Sequence, residues 1–244
     1  MKTVIITQAR MTSTRLPGKV LKNVFVEPLI GYHVKRLKRV GLADEVIVAT
    51  TINTTDDLLI KWCEENGIKY YRGSEEDVLS RYYETAKEYN ADVIVRVTSD
   101  CPLIDPDVVN GVIKVYLDNR DKYDYVSNTL TRTYPRGMDT EVFSFKVLEE
   151  INNKAVTKPD REHVTPYIYR NPQIYRLGNL SYKTDESHHR WTVDTPEDFE
   201  LIKKILEYFY PNTDFTLEEC LQLLKQNPEW ALINKHIEQK AYAE

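Results

Sequence analysis

The first hundred residues alternate between short runs of apolar or β-branched residues and longer stretches in which apolar residues recur every three or four positions. Short apolar runs are typical of buried strands, and a spacing of three and four is typical of amphipathic helices. Gly41 and Gly67 stand where the first two helices are expected to end. The predicted strands are residues 4–7, 45–51, 69–72 and 92–98, and the predicted helices are residues 29–40, 55–66 and 78–89. This alternation predicts a parallel sheet with helices on both faces.

The pattern is less regular in the second half of the chain, where we expect mixed strand directions. Pro196 followed by two acidic residues is a good helix start, and this helix is predicted to run to about Tyr210. The other elements predicted here are strands at 125–128, 140–144, 174–177 and 191–193, helices after Asp105, Ser144 and Lys158, and a helical segment at 216–239. We therefore predict one domain over residues 1–210 and a C-terminal helical extension, residues 211–244, packed on the same domain.

Composition and cysteine content are those of an ordinary globular protein. The 244 residues are 41% hydrophobic and 29% charged, which is enough for one large core. The three cysteines lie far apart without a Cys-x-x-Cys pair, so neither a disulfide framework nor a zinc knuckle is expected. The apolar N-terminal run ends at Gln8, too short for a signal peptide or a membrane span. We expect a cytoplasmic protein.

The formal net charge of −5 gives the chain no general attraction to polyanions, so neither nucleic acid nor a membrane is expected as a partner. Positive charge is instead concentrated in QARMTSTRLPGK, residues 8–19, directly after the first predicted strand. Ligands of open α/β sheets bind at such strand ends. Arg10, Arg15 and Lys19, with the hydroxyls of this segment, suit a polyphosphate. A solvated basic loop without a ligand is the alternative.

Two familiar phosphate-binding motifs are absent from this segment. Gly18-Lys19 is followed by Val20, and Ser13 stands where a Walker A loop has its first glycine. The GxGxxG pattern is also missing, which argues against a hydride-transferring Rossmann enzyme.

Two aspartates follow predicted strands later in the chain: Asp100 in RVTSDCPLIDP and Asp194 in HHRWTVDTPEDFE. Each has an ordinary structural explanation, since Asp100 could form a turn and Asp194 could cap the next helix. If their strands lie close together, the two carboxylates could instead share one Mg²⁺, which prefers oxygen ligands. Asp198, one turn further on, could assist through a bound water.

Taken together, the segment at 8–19, the SDCP at 99–102 and the VDTPED at 193–198 resemble the cytidylyltransferase family, whose members make CMP-activated sugar acids. Within that family the chain is most similar to the spore-coat polysaccharide biosynthesis group, and the stretch at 72–83 also resembles that group. The resemblance covers about residues 3–210. It implies an α/β fold, a Rossmann-like three-layer α/β/α sandwich of nucleotidyltransferase or GT-A type with a mostly parallel mixed sheet. It also implies CTP and Mg²⁺ as reactants, and a homodimer.

The resemblance further implies a role for each matching residue. Asp100 and Asp194 would hold the metal, while Arg15 and Lys19 would clasp the triphosphate; Arg15, Lys19 and Asp100 would be the catalytic residues. The other residues expected at the nucleotide are Gln8, Ala9, Arg10, Arg72, Ser74, Arg81, Thr98 and Ser99. The reaction would be displacement at the α-phosphorus by an acceptor hydroxyl, with pyrophosphate leaving and no protein nucleophile.

The acceptor, a sugar or sugar acid, is left open by a departure from the branch that activates 3-deoxy-manno-octulosonate. That branch has Gln-Gly-Asp-Glu-Pro where residues 98–102 read Thr-Ser-Asp-Cys-Pro. The candidate acceptor residues are Arg132, Arg136, His163 and Arg190. A surface loop around Arg136 and a structural role for His163 are the alternatives. The His188-His189 pair lacks thiolates or spaced histidines, so no metal site is predicted there.

Two rival functions share some of these features. A GT-A-like glycosyltransferase would use a nucleotide sugar and hold its metal with an Asp-x-Asp pair, which is absent at Asp100. A non-catalytic nucleotide-binding protein would keep the basic loop but would not need both Asp100 and Asp194.

Overall fold

The computed structural model describes residues 1–239, and a seven-stranded sheet lies at its centre. The strands in chain order are β1 (Thr3–Gln8), β2 (Asn23–Val24), β3 (Glu27–Pro28), β4 (Glu45–Thr51), β5 (Lys69–Gly73), β6 (Val93–Thr98), β7 (Tyr125–Ser127), β8 (Glu141–Ser144) and β9 (Leu177–Asn179). The large sheet has the order β5-β4-β1-β6-β8-β7-β9, and β2 and β3 form a separate hairpin.

The strand directions bring four carboxyl ends to one edge of the sheet. β1 lies between β4 and β6 and pairs with both in parallel, and β5 pairs in parallel with β4. β8 is antiparallel to β6 and to β7, while β9 is parallel to β7. The sheet is therefore mixed and mostly parallel, which confirms the predicted fold class.

Nine α-helices are described, and they cover both faces of the sheet: α1 (Leu29–Leu37), α2 (Asp57–Glu65), α3 (Val78–Glu88), α4 (Pro106–Asp118), α5 (Phe145–Lys154), α6 (Lys158–His163), α7 (Pro166–Tyr169), α8 (Pro196–Phe209) and α9 (Leu217–Gln226). Residues of β1 alternate between the faces, as expected of a buried strand. Val4 and Ile6 pack with residues of α3 and α5, whereas Ile5 packs with residues of α1 and α4.

The predicted strand at 191–193 is wrong. Trp191 and Val193 are fully buried in the core but belong to no strand, and an isolated bridge joins Arg190 to Arg136 instead. The predicted strand at 174–177 is displaced in the same way, since the strand there is Leu177–Asn179 and Tyr175 packs in the core. Apolar runs of this length report burial, and burial alone does not specify strand pairing.

The segment predicted to be helical at 216–239 is helical over only part of that range. Helix α9 ends at Gln226, and up to residue 239 only a short 3₁₀ turn, Trp230–Leu232, follows it. Pro228 explains the break, because proline disfavours helical backbone in the residue before it. Apolar residues of α9 share one hydrophobic cluster with residues of α8 and with Trp191. The domain division at residue 210 stays a prediction, and residues 240–244 of the proposed extension lie outside the described residues.

Within residues 1–239, no helix combines the length and the apolar character needed to cross a membrane.

Candidate active site

A cleft of about 1040 Å³ opens where β1 and β6 end. Most of the predicted site residues line it: Gln8, Ala9, Arg10, Arg15, Lys19, Arg81, Thr98, Asp100, Arg132, Arg136, His163 and Asp194. The predicted residues outside this lining are Arg72, Ser74, Ser99 and Arg190. The topology places the cleft at the edge where parallel strands end, which is the expected ligand site of such sheets.

The basic segment after β1 is a folded loop. The amide of Gly18 donates to the carbonyl oxygen of Met11 at 2.8 Å, and Gly18 adopts the left-handed conformation with φ of 68°. The amide of Met11 in turn donates to Oδ1 of Asp56 at 2.8 Å. Asp56 is fully buried, and its other oxygen accepts hydrogen bonds from Thr50 and Thr51 at the end of β4. Asp56 therefore fastens the loop to the sheet.

Lys19 brings the two predicted metal-binding aspartates together. Its Nζ lies 2.8 Å from Oδ2 of Asp100, 2.8 Å from Oδ1 of Asp194 and 2.7 Å from the carbonyl oxygen of Val193. Burial alone would lower the pKa of Lys19, but the two carboxylates outweigh it and raise that pKa above its ordinary value. Burial likewise disfavours ionised Asp100, yet the Lys19 ammonium holds the pKa of Asp100 well below its usual range.

Two arginines hold the far side of Asp194. Its Oδ2 is 3.0 Å from Nη2 of Arg15 and 2.8 Å from Nη2 of Arg190. Arg190 also donates through Nε to Oδ1 of the fully buried Asp198 at 2.9 Å. Asp198 completes a capping box with Thr195 at the start of α8. Arg190 thus lies behind Asp194, where it fixes the orientation of that carboxylate.

The remaining predicted residues outside the cleft lining make hydrogen bonds to neighbouring segments of the fold. Arg72 donates to the carbonyl oxygens of Thr51 and Asn53 at 2.9 and 2.8 Å, and Ser74 accepts a hydrogen bond through Oγ from the amide of Asp77. The hydroxyl of Ser99 is buried and lies 2.7 Å from Oγ1 of Thr7.

A buried histidine supports the loop that carries Asp100. Nδ1 of His33 lies 2.8 Å from the carbonyl oxygen of Cys101, which can only accept, so Nδ1 carries the proton. Nε2 then accepts from the hydroxyl of Thr7 at 2.9 Å. Complete burial lowers the pKa of His33 to about 4. The neutral imidazole is therefore the form that fits.

The oxygen atoms around Lys19 are suitable ligands for a hard divalent cation. Asp100, Asp194 and the carbonyl of Val193 converge on one point, and all three offer oxygen. The ammonium of Lys19 marks that point as one that favours a cation. Oxygen donors with two carboxylates are the set that Mg²⁺ takes, with waters and substrate phosphates completing its octahedron. The residues present therefore fit Mg²⁺.

Known protein families include one whose model matches nearly the whole chain. The family model described as "Cytidylyltransferase" matches residues 4–234. The chain belongs to the cytidylyltransferase family. This confirms the resemblance that the sequence motifs predicted, and it makes the protein a nucleotidyltransferase that uses CTP.

Individual relatives of this cytidylyltransferase are similar to it in sequence or structure over most of the chain. The spore coat polysaccharide biosynthesis protein SpsF of Bacillus subtilis is 34% identical over 235 residues, covering 93% of this chain and 96% of the relative. A solved cytidylyltransferase from Leptospira borgpetersenii is 34% identical, with a TM-score of 0.91, and covers 99% of this chain and 100% of its own. A CMP:2-keto-3-deoxy-manno-octonic acid synthetase solved with CTP shares the fold, with a TM-score of 0.64 at 21% identity over 85% of this chain and 99% of that one.

Several residues of the cytidylyltransferase cleft were not predicted. Arg96 forms an ion pair with Glu141 on the cleft floor and donates to Oε1 of Gln8 at 3.2 Å. Glu75 faces Arg10, with Nη1 of Arg10 3.3 Å from Oε1 of Glu75. The signal for Arg96 was a charge inside the strand VIVRVT, where a buried strand is otherwise apolar. No comparable signal pointed to Glu141, because its partners lie far from it in sequence.

Proposed function

We propose that this cytidylyltransferase transfers CMP from CTP to a hydroxyl group of a sugar or sugar acid, with Mg²⁺ as its metal and pyrophosphate as the leaving group. The observation that carries the proposal is the convergence of Lys19, Asp100 and Asp194 beside a loop that also bears Arg10 and Arg15. The basic side chains of this loop can pair with the phosphates of CTP. The two carboxylates beside it can bind the metal ion.

The chain's own residues act by positioning and charge stabilisation. Asp100 and Asp194 would hold the metal, with Arg190 fixing Asp194 from behind. Arg15 and Lys19 would neutralise the charge that develops on the leaving pyrophosphate. When bound, Mg²⁺ supplies polarisation of the phosphate oxygens. The acceptor hydroxyl releases its proton to water, and its oxygen forms a bond to the α-phosphorus as the bond from that phosphorus to the bridging oxygen breaks. No protein nucleophile is required.

The nucleotide would lie along the end of β1. Gln8, Ala9 and Arg10 would meet it directly, together with Thr98 from the neighbouring strand β6. Arg81 would lie at the wall, where its Nη1 donates to the carbonyl oxygen of Ser74 at 2.7 Å. In this arrangement Arg72, Ser74 and Ser99 would contribute by shaping the site.

The opposite end of the cleft would receive the acceptor. Arg132, Arg136 and His163 line the cleft, as do Lys158 and Tyr169, and we assign these residues to the acceptor. The arginines and the lysine among them suit an acceptor with a carboxylate or a phosphate. Arg132 is held by two hydrogen bonds to Asp139, at 2.6 and 2.7 Å, so its guanidinium is oriented before any ligand arrives.

The printed names of two relatives support a proposed biological setting. SpsF of Bacillus subtilis is named for spore coat polysaccharide biosynthesis, and the CTP-bound neighbour acts on a sugar acid. We therefore propose a surface or spore-coat polysaccharide as the destination of the product. We also propose a homodimer, which light scattering of the purified protein tests directly.

A coupled assay for pyrophosphate tests the proposal. CTP, Mg²⁺ and a panel of sugar acids should yield pyrophosphate, and Lys19→Ala or Asp100→Ala should each lose at least about 2 to 4 kcal/mol of barrier lowering. Lys22→Ala, an exposed lysine three residues from Lys19, is the matched control and should retain activity. Full turnover in Lys19→Ala or Asp100→Ala would contradict the mechanism.

Thermal-shift screening separates CTP from other ligands. A ligand that binds the folded state raises the melting temperature by mass action. We expect CTP with Mg²⁺ to give the largest shift among the four common triphosphates. A larger response to a UDP-sugar would instead favour glycosyl transfer.

A further inference from the structure

A tight turn at residues 186–189 lies outside the catalytic cleft and is anchored at both ends. The amide of His189 donates to the carbonyl oxygen of Glu186 at 3.1 Å, which closes the turn. The amide of Glu186 donates to the carbonyl oxygen of Thr133 at 2.8 Å. The carbonyl oxygen of His189 accepts from the amide of Arg136 at 3.0 Å. The backbone that presents these side chains is therefore held against the 133–136 segment.

Three potential metal ligands project from this turn. Nε2 of His189 lies 3.6 Å from Oε2 of Glu186, and the rings of His188 and His189 have centroids 4.1 Å apart. One ligand atom from each of Glu186, His188 and His189 lies within 4.8 Å of the other two. Glu186 and His189 are half-buried, and His188 is exposed. An ion can therefore reach the group from solvent.

The chemistry of these donors differs from that of the catalytic carboxylates. Two imidazoles and one carboxylate suit zinc and its neighbours among the transition metals, whereas oxygen-only sites suit magnesium. Tetrahedral zinc with ligands at about 2.0 to 2.1 Å has ligand pairs roughly 3.3 Å apart. The 3.6 Å between His189 and Glu186 is close to that spacing. The ligand atom of the exposed His188 lies within 4.8 Å of the other two, so the side chain would have to rotate to complete the site.

The surroundings of the turn add support and an open position. The ring of His189 lies against the buried Trp191, with centroids 5.5 Å apart, and Oε1 of Glu186 accepts from the hydroxyl of Thr184 at 3.2 Å. Contacts of this kind orient metal ligands. A cavity of about 240 Å³, lined by His188 and His189 among others, adjoins the turn. It leaves room for water or a small ligand at a fourth coordination position.

We propose that Glu186, His188 and His189 form a zinc-class metal site, separate from the magnesium site and independent of the proposed nucleotidyl transfer. The turn runs directly into Arg190, which holds Asp194 and Asp198. A bound ion would cross-link the turn and stabilise the segment that leads to the catalytic carboxylate.

Calorimetric titration of the full chain with Zn²⁺, in the presence of excess Mg²⁺, tests the proposal. We expect saturable binding of one ion per chain, and Glu186→Gln and His188→Ala should each weaken it at least about tenfold. His188 is exposed and Gln matches Glu in shape, so both variants should fold. The three cysteines are buried and offer no competing thiolate.

Two controls make the result specific. Glu65→Gln removes an exposed carboxylate on α2, and Asp100→Asn removes a ligand of the proposed magnesium site; both should leave the Zn²⁺ affinity unchanged. Co²⁺ as the probe should give visible absorption that Glu186→Gln alters. The proposal is overturned if Zn²⁺ does not saturate, if Glu186→Gln and His188→Ala bind it as tightly as the natural protein, or if Asp100→Asn is the change that abolishes binding.

Discussion

Nζ of Lys19 lies 2.8 Å from Oδ1 of Asp194, a residue 175 positions later in the chain. The same ammonium is 2.8 Å from Asp100, so one cation joins two carboxylates that are expected to bind a metal. Lys19 belongs to the loop that would hold the triphosphate. Because the ammonium already neutralises the carboxylates, a divalent ion gains little by binding there until a polyanion draws Lys19 away.

Removal of the Lys19 charge should therefore strengthen metal binding in the absence of nucleotide. Lys19→Met leaves Asp100 and Asp194 without their shared cation, and we expect Mn²⁺ to bind at least about tenfold more tightly than to the natural protein. Electron paramagnetic resonance of free Mn²⁺ measures this. Lys22→Met is the matched control and should show no gain, and Asp100→Asn added to Lys19→Met should cancel it. An unchanged affinity in Lys19→Met would show that the carboxylates do not form the metal site.

Asp56 should control both stability and the use of CTP. Its two oxygens accept hydrogen bonds from Met11, Thr50 and Thr51, and Asp56→Asn loses acceptors for some of these buried donors. We expect the free energy of unfolding to fall by about 1 to 3 kcal/mol and the KM for CTP to rise, because the triphosphate loop loses its anchor. Urea denaturation and initial-rate kinetics measure the two effects.

Asp118→Asn provides the comparison for Asp56. Asp118 forms an exposed pair with Lys114 on α4, and its loss should change stability by less than about 1 kcal/mol. Equal effects of the two substitutions would show that Asp56 is not an anchor.

Much of the parallel half of the fold could be predicted, because its strands and helices carry strong local periodicity. Lys19, Asp100 and Asp194 were also visible in the sequence as site candidates, although of the three only Asp100 closely follows a strand that forms, β6. Their direct contact was not, since it depends on how three distant segments pack. Asp56 was missed for the same reason: nothing in Thr54–Asp56 shows that this carboxylate will be buried under Met11.

Strand predictions in the second half of the chain were wrong where a segment is buried but does not pair in a sheet. Trp191 is as buried as any strand residue, yet its backbone amide donates to the carbonyl of Arg136 in an isolated bridge. An apolar run predicts that the segment is buried, but it does not predict hydrogen bonding to a neighbouring strand. The histidine pair was similarly incomplete by itself, because the turn that brings Glu186 beside His188 and His189 is not evident from the sequence.

His33 should make stability depend on pH. Its pKa in the folded protein is about 4, below the ordinary value of about 6.5 for an unfolded chain. The neutral form is favoured on folding, so the contribution is complete above pH 6.5 and is lost as pH falls toward 4. This difference in pKa contributes roughly 3 kcal/mol to the free energy of unfolding for a fully buried imidazole.

His33→Gln isolates this contribution. His189 also has a pKa lowered to about 4, so the natural protein will show a combined slope, and the difference between the two proteins reports His33 alone. Chemical denaturation between pH 4 and 7 measures it. Identical slopes in the two proteins would exclude His33 as the source.

The ion pair of Arg96 with Glu141 should matter most when only one partner is removed. Arg96→Met leaves the buried Glu141 uncompensated, at an expected cost of about 3 to 5 kcal/mol. Glu141→Gln added to Arg96→Met should recover part of that loss, because the unpaired charge is gone. Urea unfolding of the single and double variants measures the recovery, and strict additivity would contradict the coupling.

The most direct test of the proposed reaction is ³¹P nuclear magnetic resonance of CTP incubated with the natural protein, Mg²⁺ and the acceptor that the pyrophosphate assay selects. We predict that the CTP signals are replaced by pyrophosphate and by one phosphodiester resonance of a CMP conjugate, in equal molar amounts. Orthophosphate, a CDP-linked product, or CTP that stays intact with every acceptor of the panel would contradict cytidylyl transfer.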